Sequence, residues 1–253
     1  MSRKYATLNG VKIAYIDEGE GDPILLIHGF ASSITFNWIG PGWVKALLDD
    51  GRRVIAIDNR GHGQSDKFYE PERYEPDLMA ADSIALVEHL GLKSVDVMGY
   101  SMGARLLAFF ALARSDLVNR VIFGGLGERM ISGVGRWQEV AAALEADDPA
   151  TVTDQGALAF RKFADQTGSD RMALAACIRP SRKKLSAEDV SKIVAPALVA
   201  VGETDEVGGT PEGLADHLPN GIAYTIPGRD HMKAVGDKAF KQAVLAFLNN
   251  QSE

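Results

Sequence analysis

Residues 94 to 111 constrain this chain more than any other stretch. Ser94-Val95-Asp96-Val97-Met98 has the character of a strand, Gly99-Tyr100-Ser101-Met102-Gly103 that of a tight turn, and Ala104-Arg105-Leu106-Leu107-Ala108-Phe109-Phe110-Ala111 that of an apolar helix. A G-x-S-x-G turn between strand and helix holds its serine in a strained backbone conformation and lifts the hydroxyl clear of the sheet edge. Gly99 and Gly103 are needed because a Cβ at either place collides with the crowded strand-to-helix crossing. The helix opening at Met102 turns its first N–H groups toward the same point, where negative charge develops on an attacked carbonyl oxygen. Ser101 is therefore the candidate nucleophile, set against the plainer reading of a surface turn with an idle serine.

A serine hydroxyl is a weak nucleophile at neutral pH. It needs an imidazole to accept its proton and a carboxylate to fix that imidazole's tautomer. Of the five histidines, only His217 and His231 follow Ser101. His217 sits in a short surface helix around residues 211–218, whereas His231 lies in a loop just past the strand 222–226, so His231 is the preferred base. For the acid, Asp205 follows the end of the strand 196–201 at the same sheet edge as Ser101, with Glu203 and Glu206 as close competitors. Asp230 is disfavoured because a neighbouring side chain points away from His231. Upstream, His28-Gly29-Phe30 ends the apolar strand 23–27. Gly29 lets backbone approach a substrate, and the N–H groups of Phe30 and Met102 form a candidate oxyanion pair. His28, which precedes the serine, reads as a structural hydrogen-bonding residue.

Elsewhere the punctuation is plain. Asn9-Gly10 predicts a two-residue hairpin between strands 5–8 and 11–17. Residues 41–50 and 78–90 read as helices, 53–57 and 119–123 as strands, and 238–248 as the closing amphipathic helix. The loop Asp58-Asn59-Arg60-Gly61-His62-Gly63-Gln64-Ser65 reads as scaffold braced by an Asp58–Arg60 pair, with His62 having a smaller chance of facing the cleft. From about 127 to 193 strand signals stop. Helices are predicted at 137–146, 155–165, 171–178 and 187–193, the last opened by Ser186 with Asp189 at capping-box spacing. A helical block between two strands reads as a cap over the cleft. Its Trp137, Phe160, Phe163 and Met172 are expected in the core rather than against substrate.

At 253 residues, 46% hydrophobic and 24% charged, the chain has the size and make-up of one α/β domain. A net charge of −7 gives no footprint for nucleic acid or an anionic membrane. No leader or membrane span is visible, so the expected setting is the cytoplasm, with a small molecule as partner and the oligomeric state open. Cys177 reads as buried filler. The histidines lack a metal-binding spacing, and Gly125-Leu126-Gly127 lacks the third glycine of a phosphate loop, so no metal and no cofactor is expected.

Together, His28-Gly29, Asp58-x-Arg60-Gly61-x-Gly63-x-Ser65, the Ser101 turn, Gly202-x-x-Asp205 and Gly228-x-x-His231 resemble the α/β-hydrolase superfamily over essentially the whole chain. The resemblance implies an α/β fold: a central, mostly parallel eight-stranded sheet flanked by helices, built from 1–126 and 194–253, with a helical cap insertion over 127–193. It also implies a Ser101–Asp205–His231 triad. A serine at the elbow, where an aspartate would suggest dehalogenase or epoxide hydrolase chemistry, points to a serine hydrolase of the carboxylesterase type acting on small or medium esters. A carbon–carbon bond or lactone hydrolase with the same triad is the nearest enzymatic alternative. A ligand-sensing protein on a hydrolase scaffold, docking through Arg182-Lys183-Lys184, is a second class.

Overall fold

The hairpin predicted at Asn9-Gly10 forms: both residues take positive φ, 51° and 75°, and set Leu8 opposite Val11. In this computed structural model, which describes residues 1–133, 135, 137–180 and 183–250, the strands are β1 (Lys4–Leu8), β2 (Val11–Glu18), β3 (Pro23–Ile27), β4 (Arg53–Ile57), β5 (Val95–Tyr100), β6 (Val118–Gly124), β7 (Ala197–Gly202) and β8 (Gly221–Ile226). They make one eight-stranded sheet in the order β1-β2-β4-β3-β5-β6-β7-β8. β2 runs antiparallel to β1 and β4, and every other pairing is parallel.

The central strands are apolar on both faces because helices cover both. Leu25, Ile27, Ile55 and Val97 face a core with Met79 and Leu86 of α2 (Pro76–His89) and with α3 (Met102–Ala113). Ile24, Leu26, Val54 and Met98 face the opposite core, with Trp43 and Leu47 of α1 (Trp43–Asp49) and Phe240 and Val244 of α11 (Lys238–Asn249). The alternation follows from the pleat, which sends successive side chains to opposite faces. Because β3 and β5 are adjacent, the loops that follow them meet at one sheet edge.

The loop after β4 departs from expectation. Asp58 does not pair with Arg60. Its carboxylate accepts the N–H groups of Ile34 (2.8 Å) and Gln64 (3.0 Å). Arg60 instead makes a buried two-pronged bond to Asp82 on α2, at 2.7 and 2.8 Å, and a third bond to the Arg73 carbonyl. A guanidinium fork matches both oxygens of a carboxylate that faces it squarely. A π-helical turn at Ile34–Ile39, absent from the sequence reading, is tied to the loop by that Asp58 bond.

Between β6 and β7 the described residues hold five α-helices, a 3-10 turn at Pro149–Thr151 and no strand; the α-helices are α4 (Arg129–Ser132), α5 (Trp137–Glu145), α6 (Gln155–Gln166), α7 (Arg171–Ile178) and α8 (Ala187–Ser191). Ser186 and Asp189 form the expected capping box on α8. A buried arginine on α3, Arg105, joins this block to the sheet side by donating to the carbonyls of Arg129, Met130 and Lys183. Burial lowers its pKa to about 10. Cys177 is buried as expected, its sulfur 4.0 Å from that of Met102. Of the proposed docking run, Arg182 lies outside the described residues and Lys183 pairs with Asp77 at 2.8 Å. The remaining helices are α9 (Glu212–Ala215) and α10 (His231–Ala234). Among the described residues no helix is long and apolar enough to cross a membrane.

Candidate active site

Ser101 sits between β5 and α3 with φ 53° and ψ −110°, a conformation that L-residues rarely adopt. Packing around it enforces that turn. A Cβ on Gly99 would stand 2.3 Å from the Gly103 carbonyl oxygen, and one on Gly103 would stand 2.0 Å from that of Ile27. Both are far inside contact distance, so only glycine lets the helix cross the strand end so closely. The loop after β3 also lies against this turn, less tightly. A Cβ on Gly29 would be 3.5 Å from the Ser101 Cβ, and the Gly29 N–H donates to Asn37 Oδ1 at 3.0 Å.

His231 comes to the serine from the far end of the chain. Its Nε2 is 3.0 Å from Ser101 Oγ, and its Nδ1 is 2.8 Å from Asp205 Oδ2. The carboxylate can only accept, so Nδ1 carries the proton and Nε2 is left to accept from the serine hydroxyl. Asp205 is itself held: its Oδ1 accepts the N–H groups of Val207 (2.9 Å) and Gly208 (2.8 Å). The histidine turn is pinned from two sides, by Tyr100 Oη donating to the His231 carbonyl and Trp43 Nε1 donating to that of Val235, each at 2.5 Å.

The competitors are occupied elsewhere. Asp230 caps α10 through the N–H groups of Met232 and Lys233. Glu203 accepts from the Gly228 N–H, and Glu206 and His217 are exposed.

A cavity of about 160 Å³ opens on Ser101 and His231. Phe30, Phe36, Met232 and Val235 line it, together with Phe160 and Phe163 of α6. Phe160 and Phe163 pack against the core, as does Trp137, and the first two also line this cavity, while Met172 is 51% exposed. Asn37, on the π-helical turn, was missed altogether. Among the described residues no cluster of three or more His, Cys, Asp or Glu side chains has the arrangement of a metal site.

The family model for the alpha/beta hydrolase fold matches residues 22–175. The chain belongs to that family. It is 28% identical to the non-heme chloroperoxidase CPO-A1 of Kitasatospora aureofaciens, over 96% of its own length and 98% of the relative's. A 116-residue stretch, 46% of this chain and 38% of the relative, is 35% identical to a soluble epoxide hydrolase of a Corynebacterium species. Among solved structures, a bromoperoxidase from Bacillus anthracis matches with a TM-score of 0.74 at 27% identity, covering 98% of this chain and 100% of that one.

Two buried histidines brace the site of this α/β hydrolase from below. His28 Nδ1 donates to the Gly29 carbonyl (2.7 Å) and its Nε2 accepts the Asn59 N–H (3.0 Å), the structural role expected of it. His62 is fully buried 5.2 Å away, ring to ring, its Nδ1 at the Arg60 carbonyl. Burial lowers the His28 pKa to about 4. For His62, burial and then the neighbouring His28 lower it to about 3. Both rings stay neutral in the folded protein while the unfolded chain takes up protons from pH 6.5 downward. Their contribution is therefore complete above that pH and is lost as pH falls toward about 4. The expected limiting slope is about 3 kcal/mol per pH unit, from two protons at about 1.4 kcal/mol each. Urea unfolding between neutral pH and about pH 5 checks this; stability that stays level across that range contradicts it.

Proposed function

We propose that this α/β hydrolase cleaves small, neutral carboxylic esters through an acyl-enzyme on Ser101. The observation that carries the reading is the unbroken hydrogen-bond relay from Asp205 through His231 to Ser101 at the cavity mouth. His231 Nε2 takes the hydroxyl proton as Ser101 Oγ attacks the ester carbonyl, and the N–H groups of Phe30 and Met102 hold the oxyanion. The imidazolium then protonates the departing alcohol. Water, activated by the same nitrogen, releases the acid and restores the serine.

The cavity supports the substrate class. Its volume of about 160 Å³ is close to the ~150 Å³ that accommodates a benzene ring, which favours a small acyl group. Its lining has no Lys, Arg, Asp or Glu, so a carboxylate on the substrate would meet no counter-charge. This favours a neutral ester or lactone over an anionic ring-cleavage dienone. Helices α4 to α8 serve in this reading as the cap, contributing Phe160 and Phe163 to the cavity wall.

The test is labelling with a fluorophosphonate and mapping of the adduct by mass spectrometry, beside hydrolysis of a short-acyl ester panel. Modification of Ser101 with parallel loss of ester turnover is expected. An unlabelled Ser101 in active protein would remove the nucleophile from the scheme.

Similarity to a chloroperoxidase and a bromoperoxidase supports a second outcome of the same acyl-enzyme. Hydrogen peroxide attacking in place of water would release a peroxy acid and free Ser101. The peroxy acid would then oxidise halide to hypohalous acid and become the carboxylic acid. Bromination that requires both peroxide and a carboxylic acid, and disappears on labelling, marks this route.

A further inference from the structure

We infer that Phe160 is a partition between the catalytic cavity and a second, larger groove, and that its ring sets acyl-chain selectivity by keeping the tail of a chain longer than the cavity holds out of that groove. The inference rests on the serine-hydrolase reading above. Phe160, half-buried on α6, belongs to the walls of both spaces, one of about 160 Å³ and the other of about 570 Å³. Its ring meets Phe30 edge-on at 5.9 Å on the catalytic side and Trp137 at 6.3 Å on the groove side. The groove reaches Val207, whose N–H is bonded to Asp205, so it begins beside the candidate catalytic carboxylate.

The chemistry of the groove suits a hydrocarbon tail. Trp137, Val140, Ala157 and Val207 supply apolar walls, while exposed Thr153 and Glu206 stand at the rim. Phe160 is the side chain common to both spaces, so its bulk closes the passage between them. The contacts of the ring with Phe30 and Trp137 are edge-on aromatic contacts. In the closed arrangement selectivity is for short acyl groups. With the ring gone the tail extends into the groove, where each further buried methylene is worth about fourfold in binding.

The experiment compares kcat/KM for para-nitrophenyl butanoate and octanoate in the unmodified protein, in Phe160→Ala and in the double variant Phe160→Ala/Thr153→Trp. Phe160→Ala should raise the octanoate-to-butanoate ratio by about 250-fold if all four added methylenes are buried at about fourfold each, and by more than about tenfold if only two are. The indole in the double variant fills the groove from its rim and should return the ratio toward that of the unmodified protein. Phe160→Leu keeps an apolar side chain against Phe30 and Trp137 and should move the ratio in the same direction by a smaller factor, so the inference stays testable if the alanine variant folds poorly. An unchanged ratio in folded variants whose Ser101 still takes the fluorophosphonate label overturns the partition. Failure of the unmodified protein to label at Ser101 overturns the serine-hydrolase reading instead.

Discussion

Ser101→Ala is expected to lower kcat for a short ester by about five to six orders of magnitude, leaving only the residual rate that binding and oxyanion donors supply. The loss is large because the three groups act as one unit. Without Oγ, the imidazole at 3.0 Å has no proton to accept from a nucleophile, and no acyl-enzyme forms. The variant should keep its fold, since Ser101 makes its backbone bonds, N–H to the Gly124 carbonyl and carbonyl to the Arg105 N–H, without using the side chain. Steady-state kinetics beside circular dichroism will separate the two effects. An alanine variant with native spectra and undiminished turnover would show that the hydrolysis occurs elsewhere on the protein.

The second large effect is expected from Asp205→Asn, at about 10⁴-fold in kcat. Its cause can be followed atom by atom. The N–H groups of Val207 and Gly208 require an acceptor at Oδ1, so the asparagine must place its oxygen there. Its NH₂ then occupies the Oδ2 position, 2.8 Å from His231 Nδ1. Facing a donor, Nδ1 must become an acceptor, and the ring proton moves to Nε2. A protonated Nε2 cannot take the proton of Ser101. The geometry survives and the tautomer is wrong, so the thermal midpoint should change little while turnover collapses. If Asp205→Asn retained more than a tenth of the activity, His231 would be receiving its orientation from another group, and the nearby carboxylates Glu203 and Glu206 would be the next to replace.

How well the chain could be read depended on how local each feature was. Asn9-Gly10, the Ser186 capping box and the glycines around Ser101 act within a few residues of themselves, through φ preferences and steric limits that hold wherever the segment lies. The Arg60 partner was not local. The expected bond to Asp58 gave way to Asp82 because α2 packs its buried face against the loop and presents a carboxylate square to the guanidinium. Asp58, two residues away, was taken up by the backbone N–H groups of Ile34 and Gln64. Phe160 and Phe163 pack against the core as read, but their place in the cavity wall was not legible, for a related reason. An apolar residue on an amphipathic helix looks the same in sequence whether it faces a filled core or a cavity.

By itself the sequence determined the strand–turn–helix at Ser101, the hairpin and the two-faced central strands, because backbone sterics and apolar periodicity are written into neighbouring residues. Only the tertiary structure decided whether His231 reaches the serine across 130 positions of chain. That outcome rests on Tyr100 and Trp43 gripping the carbonyls on either side of a one-turn helix too short to hold itself in place. It also decided how much room lies above the serine, since that space is bounded by rings from separate elements, each positioned by the packing of the others.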